Sequence, residues 1–127
     1  MSASDTSRGP RSPRELLSVF AERVNTRDLE ALVALYEPQA VFVPAPGVVH
    51  HGHAAIRGAL AELLSLAPVM QSEVKEVYEE GDTALAVVEW SLRGTAPDGS
   101  AVVQGGKSAD VLRRRADGTW RVSIDHP

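Results

Sequence analysis

Two periodicities divide the chain. Through residue 66 or so, apolar residues recur at three- and four-residue intervals; from Val69 onward they alternate or run together between glycines and prolines. Ser12-Pro13-Arg14-Glu15 reads as a helix start, with Ser as N-cap, Pro at the first helical position and Glu closing a capping box. Leu16, Leu17, Phe20 and Val24 then share one side. Asp28 caps a second, shorter helix burying Leu29, Leu32, Val33 and Tyr36 and stopped by Pro38. Residues 40–43 predict a short strand cut off by Pro44, Pro46 and Gly47. A third helix over 53–66 turns Ile56, Leu60, Leu63 and Leu64 inward. Strands follow over 69–79, 84–92, 101–115 and 119–125. Ala84 to Val88 is apolar on both faces, as in a covered central strand. Gly105-Gly106 predicts a bulge.

Three helices followed by hairpin-linked strands make an α+β layout. Residues 1–12, rich in Ser, Arg, Gly and Pro, read as a flexible N-terminal arm, leaving 13–127 as a single domain. The helices can close only one face of the sheet. Its outer face then needs a second cover, most simply another copy of the chain, so a homodimer is expected.

The last hairpin carries the candidate chemistry. Asp117-Gly118 between two strand-like runs signals a two-residue turn. That turn sets Arg115 opposite Trp120, Val111 opposite Ile124 and Asp110 opposite Asp125. Directly opposed side chains have Cβ atoms about 4.5–5.5 Å apart. Two carboxylates so close repel, so either a bulge breaks the register or the pair serves chemistry. Burial and a like charge both disfavour ionisation, so such a pair shares a proton. It can then give a proton to one substrate atom and take one from another. The bland alternative leaves Asp125, close to the end of the sequence, in water.

Composition narrows the classes. The chain has 127 residues, 43% of them hydrophobic and 24% charged, which suits one globular domain with a real core. A net charge of −4 argues against nucleic acid as a partner, and Arg113-Arg114-Arg115, the only basic run, alternates between faces. With no cysteine, disulfides, thiolate catalysis and cysteine-bound metals are excluded. No apolar run approaches the roughly 20 residues that span a bilayer, so no membrane role is expected and a cytoplasmic location follows by default. His50, His51 and His53 straddle a loop and a helix start, where no period converges them on a metal. No metal and no cofactor are therefore expected; a histidine at a pocket mouth, His50, suits acid–base or hydrogen-bonding work instead.

The run Val24-Asn25-x-x-Asp28-Leu29-Glu30-x-x-Val33-Ala34-Leu35-Tyr36, with Ala40-Val41 and His51-Gly52-x-x-x-Ile56, resembles the ketosteroid isomerase branch of the nuclear transport factor two-like superfamily. Asp110-Val111-Leu112-Arg113 and Asp117-Gly118-x-Trp120-Arg121 are similar to its SnoaL-like members. The resemblance covers roughly residues 14 to 127. It implies a cystatin-like cone: a curved, mostly antiparallel sheet wrapped around three helices, with an apolar pocket at the open end and commonly a dimer. Steroid isomerase machinery carries over poorly. The oxyanion-hole tyrosine falls on Phe20 and the general base near Pro44; only the protonated aspartate is matched, by Asp110. Asp125 matches a catalytic aspartate of the limonene epoxide hydrolase branch, but Val87-Val88-Glu89-Trp90-Ser91 lacks that branch's arginine.

The resemblance points Phe20, Val24, Leu60, Leu64, Val88 and Trp90 into the pocket, with His50 and Ser108 completing the substrate-contacting set. Trp90 is the strongest single contact for a flat apolar ligand. Three readings stay open: a cofactor-free isomerase, cyclase or lyase acting on an apolar substrate, with Asp110 as protonated donor and Asp125 as base; a non-catalytic ligand-binding or dimerisation module; and an epoxide hydrolase whose arginine arrives from elsewhere, such as Arg57 or Arg121.

Overall fold

In a computed structural model describing residues 9–127, nine elements follow in order. These are α1 (Pro13–Asn25), α2 (Leu29–Val33), β1 (Tyr36–Ala45), β2 (Val48–His51), α3 (Gly52–Leu64), β3 (Val69–Glu80), β4 (Thr83–Thr95), β5 (Ala101–Arg114) and β6 (Trp120–His126). The strands form one six-stranded sheet in the order β2-β1-β6-β5-β4-β3. Every pairing is antiparallel except β1 with β6. The three helices pack on its inner face, so the α+β cone expected from the sequence is the fold observed.

Local chemistry accounts for the helix ends. Ser12 Oγ accepts from Glu15 N at 3.1 Å, and the Glu15 carboxylate accepts in return from Arg11 N. Asp28 Oδ1 accepts from Ala31 N at 3.2 Å and starts α2. Between the two helices, Asn25 is bound through both ends of its amide to the backbone of Met70, at 3.0 and 2.6 Å. That clamp fixes the end of α1 against the start of β3. Leu16, Val24, Leu32, Leu35, Ile56, Leu60, Ala86 and Leu112 form the packed core.

Several elements differ from the sequence reading. Tyr36 does not end a helix; it opens β1, 1% exposed, and Pro38 sits inside that strand. The strand called for over 40–43 is thus longer, and Pro46-Gly47 turns it back into β2, placing His50 and His51 on a strand rather than a loop. A positive φ of 79° at Gly47 makes that turn possible. Gly105-Gly106 forms no bulge: the β4–β5 ladder is unbroken from Thr83 to Thr95. Gly106 leaves room for Trp90, whose indole nitrogen lies 3.8 Å from where a Cβ on Gly106 would be, and Gly105 lies close to the Trp90 carbonyl, 3.0 Å from where its own Cβ would be. Of the arm expected over 1–12, residues 1–8 lie outside the described residues. Pro10 is buried and its carbonyl accepts from Trp120 N at 2.8 Å, so the chain is tied to β6 before α1 begins.

The sheet's far corner is held by a close approach. Gly94 faces Leu66 so tightly that a Cβ would lie 2.7 Å from its carbonyl oxygen, a backbone atom that also accepts from Thr95 N. Gly94→Ala is therefore expected to cost about 1–3 kcal/mol through forced separation of β4 from the end of α3. Urea denaturation measures it; unchanged stability would show that the approach is slack.

Candidate functional site

The final hairpin brings Asp110 opposite Asp125, by a route other than the one its turn predicts. Arg115 N donates to Thr119 O and Gly118 N to Arg115 O, so the loop is Ala116-Asp117-Gly118, one residue longer than expected, with φ +86° at Gly118. Next to the loop, Arg114 pairs with Trp120 and Leu112 with Val122. Beyond them the register shifts by one, with Ser123 as the extra residue, and Val111 meets Ile124. The bulge undoes the offset made by the turn. Both alternatives posed by the opposed carboxylates are therefore realised: the register is broken, and the pair survives.

Both carboxyls are buried, Asp110 at 7% and Asp125 at 8% exposure, and both face the interior. Tyr36 Oη donates to Asp125 Oδ2 at 2.5 Å. Ser108 Oγ donates to Asp110 Oδ2 at 3.0 Å, and His126 N to Asp110 Oδ1 at 3.3 Å. Burial pushes the Asp125 carboxyl well above its usual range, and the charge of Asp110 pushes it the same way. Asp110 is raised by burial too, but hydrogen bonds from Asp125, Ser108 and His126 oppose the rise. Burial, then the adjoining carboxylates, drives the Tyr36 phenol well up, so it remains a neutral donor.

These groups form the polar floor of a cavity of about 670 Å³. Phe20, Leu60, Val88 and Trp90 line it, with Ser108 on the floor and His50 on the wall. His50 is stacked on Phe42, ring centroids 6.0 Å apart. Val24 and Leu64 do not line it. Val24 shares the stripe of Phe20 and Ala21 but lies a turn further along, fully enclosed in the core, and Leu64 packs on the core's edge, about a third of a turn from the centre of the cavity-facing stripe of its helix. His53 is also elsewhere: its Nε2 meets the Tyr36 carbonyl at 2.7 Å and latches α3 to β1. The three histidines diverge. Among the described residues no cluster of His, Cys, Asp and Glu is arranged to hold a metal. Trp90 Nε1 is buried with no acceptor.

Sequence reasoning missed Tyr36. Placed on the stripe of a short helix it counted as core, and nothing local marks its hydroxyl as facing β6. Its partner lies 89 residues away, and the parallel β1–β6 pairing that joins them has no short-range signal.

A family model for the SnoaL-like domain matches residues 18–122. The chain belongs to the SnoaL-like family. Among curated proteins none matches it in sequence. Solved structures share the fold. A ketosteroid isomerase-like protein from Erwinia carotovora atroseptica is 18% identical, with a TM-score of 0.77 over 87% of each chain. A protein from Novosphingobium aromaticivorans assigned as a scytalone dehydratase is 13% identical, with a TM-score of 0.80 over 91% of this chain and 79% of the other. A dehydratase-assigned protein of the NTF2-like family from Streptomyces avermitilis is 21% identical, with a TM-score of 0.72 over 87% and 89%. At these identities the likeness extends to the fold and leaves the chemistry to the site.

The buried dyad makes the SnoaL-like domain's stability depend on pH in a defined direction. Above the usual Asp value of 3.8 the unfolded chain has lost protons that the folded chain still holds. Stability therefore falls as pH rises from there through the raised folded values. Asp125→Asn keeps the shape, accepts from Tyr36 and cannot ionise. It is expected to lose less stability than wild type between about pH 4 and pH 8. Thermal melts across that range test this; a steeper fall in the variant would contradict a dyad that shares its proton.

Proposed function

We propose that this SnoaL-like domain binds a small, largely apolar molecule in the cone and moves protons on it without a cofactor, as an isomerase, cyclase or lyase. The observation that carries this reading is the Asp110–Asp125 pair with Tyr36 at the floor of an open, apolar-walled cavity. A filled cone would have favoured a binding or dimerisation module. The roles run opposite to those implied by family resemblance. Asp125 has one neutral donor and the stronger push toward protonation; Asp110 has two donors from elsewhere in the chain that favour its anion. Asp110 is accordingly the base and Asp125 the acid.

Chemically, Asp110 takes a proton from a carbon next to a carbonyl while Asp125 gives its proton to an oxygen. If that oxygen is the carbonyl's, an enol forms and reprotonation elsewhere completes an isomerisation. If it is a β-hydroxyl, water leaves and the reaction is a dehydration. In the isomerisation Asp110 gives its proton to the new carbon and Asp125 takes back the enol's; in the dehydration the proton gained by Asp110 returns across the pair to Asp125. Each route restores the starting state. Tyr36 steadies Asp125 once it is anionic. The epoxide hydrolase reading has less support. Arg57 is ion-paired with Glu30 on the surface, Arg121 lies outside the cavity, and no arginine lines it among the described residues.

The test is deuterium exchange into 2-tetralone, an apolar bicyclic ketone with acidic α-hydrogens, followed by NMR in heavy water. Wild type should accelerate exchange, and Asp110→Asn should lose at least about a hundredfold of that acceleration while still binding. Equal exchange in wild type, Asp110→Asn and Asp125→Asn, with binding retained, would leave a non-catalytic binding module.

A homodimer through the outer sheet face is part of the same reading, as is a cytoplasmic setting, which rests on the sequence alone. Tyr78, Leu85, Val111, Ile124 and Val41 are successive cross-strand partners, an apolar row over five strands. Tyr78 is 61% exposed, Leu85 42% and Ile124 41%. A continuous row of this kind is typical of a surface covered by a partner. Leu85→Glu combined with Ile124→Glu should shift the sedimentation coefficient from dimer to monomer; a wild-type monomer at high concentration would remove the dimer.

A further inference from the structure

A second cleft lies away from the cavity, between α1, the end of α2 and β6. It has a volume of about 240 Å³ and is lined by Gly9, Pro10, Arg23, Ala31, Ala34, Leu35 and Arg121. Two guanidinium groups therefore open on one small space. Each is anchored on one edge by a backbone carbonyl: Arg23 Nη1 donates to Ala31 O at 2.6 Å and Arg121 Nη1 to Trp120 O at 3.0 Å. Neither meets a carboxylate within ion-pair distance among the described residues. Asp117 is turned to its own loop, where its Oδ1 accepts from the backbone N and the hydroxyl of Thr119, at 2.9 and 2.6 Å. Gly9, at φ +99°, closes over Arg121 so nearly that a Cβ there would sit 2.9 Å from Nη1.

The electrostatics are unfavourable as they stand. Burial pulls the Arg121 guanidinium below its ordinary value and the charge of Arg115 adds to the effect; Asp117 pulls the other way, and Arg23 adds a smaller push in the direction of Arg115. An arginine cannot relieve this by giving up its proton near neutral pH. It needs an anion, and both side chains are already held in place with donors unspent.

We infer that this cleft binds a small phosphate dianion, held between Arg23 and Arg121. A single carboxylate would neutralise one of the two guanidiniums. A phosphate carries the charge for both and has oxygens enough for two forks. The site is independent of the acid–base reading of the cone, since none of its residues lines that cavity.

The experiment is a titration of the whole chain with inorganic phosphate at constant ionic strength, followed through the backbone amides of Gly9 and Leu35 and the arginine Nε–H signals. Saturable shifts are expected, with acetate binding at least about tenfold more weakly. Arg23→Gln and Arg121→Lys should each weaken phosphate binding by about tenfold or more, and Arg93→Gln, on the exposed face of β4, should leave it alone. Shifts that do not saturate, equal binding of acetate, or undiminished affinity in a folded Arg23→Gln protein would overturn the assignment. None of these results bears on deuterium exchange in the cone, so the two proposals fail separately.

Discussion

Two carboxyl groups on neighbouring strands, facing each other out of water, set the terms for the rest of this structure. Keeping both ionised there would cost more than the fold can supply, so the pair must hold a proton, and it must hold it in a fixed place. Three contacts see to that: the phenol of Tyr36 on one side, Ser108 and the His126 amide on the other. The geometry depends in turn on a single extra residue, Ser123, which compensates a hairpin loop one residue too long for direct pairing. A one-residue slip would turn one of the acids to the outer face of the sheet. The same bulge increases local twist where β6 passes under the cavity, so curvature and chemistry share a cause.

The cavity exists because the helices fill only part of the cone. Leu16, Leu60 and their neighbours pack the narrow part, while β4 and β5, the two longest strands, extend past them toward Trp90 and Gln104. Gly106 leaves the strand opposite Trp90 without a side chain, and the indole lies against that space. The walls are mainly aliphatic and aromatic, the acid pair lies at the floor, and His50, Glu62, Ser65, Ser72 and Gln104 add further polar groups to the lining.

The dyad and the arginine cleft are two answers to the same difficulty of crowding like charges. Carboxyls can relieve it themselves, because neutralising one costs little at a raised pKa, and the result is a proton available for chemistry. Guanidiniums have no such option. Their relief must come from outside, and the result is a binding site. Both are built against β6, from opposite ends of the strand: Arg121 and Asp125 are four residues apart in sequence and open onto separate hollows.

Much of this was legible in the sequence. Helical spacing around Leu16, Phe20 and Val24, caps at Ser12 and Asp28, and alternation through Val88 and Trp90 encode local periods and turn chemistry, which neighbouring residues decide among themselves. The opposition of Asp110 to Asp125 was also readable, though only because a longer loop and a bulge cancelled; neither departure has a strong local signature. Val24 and Leu64 show the limit of a helical stripe, which tells inward from outward but not which inward-facing residue borders a void. What only the tertiary structure decided are the contacts made across the parallel seam between β1 and β6 and across the helix ends: Tyr36 on Asp125, His53 on the Tyr36 carbonyl, Arg23 beside Arg121. Such contacts join segments far apart in the chain whose approach is set by packing, and packing leaves no mark on the local order of residues.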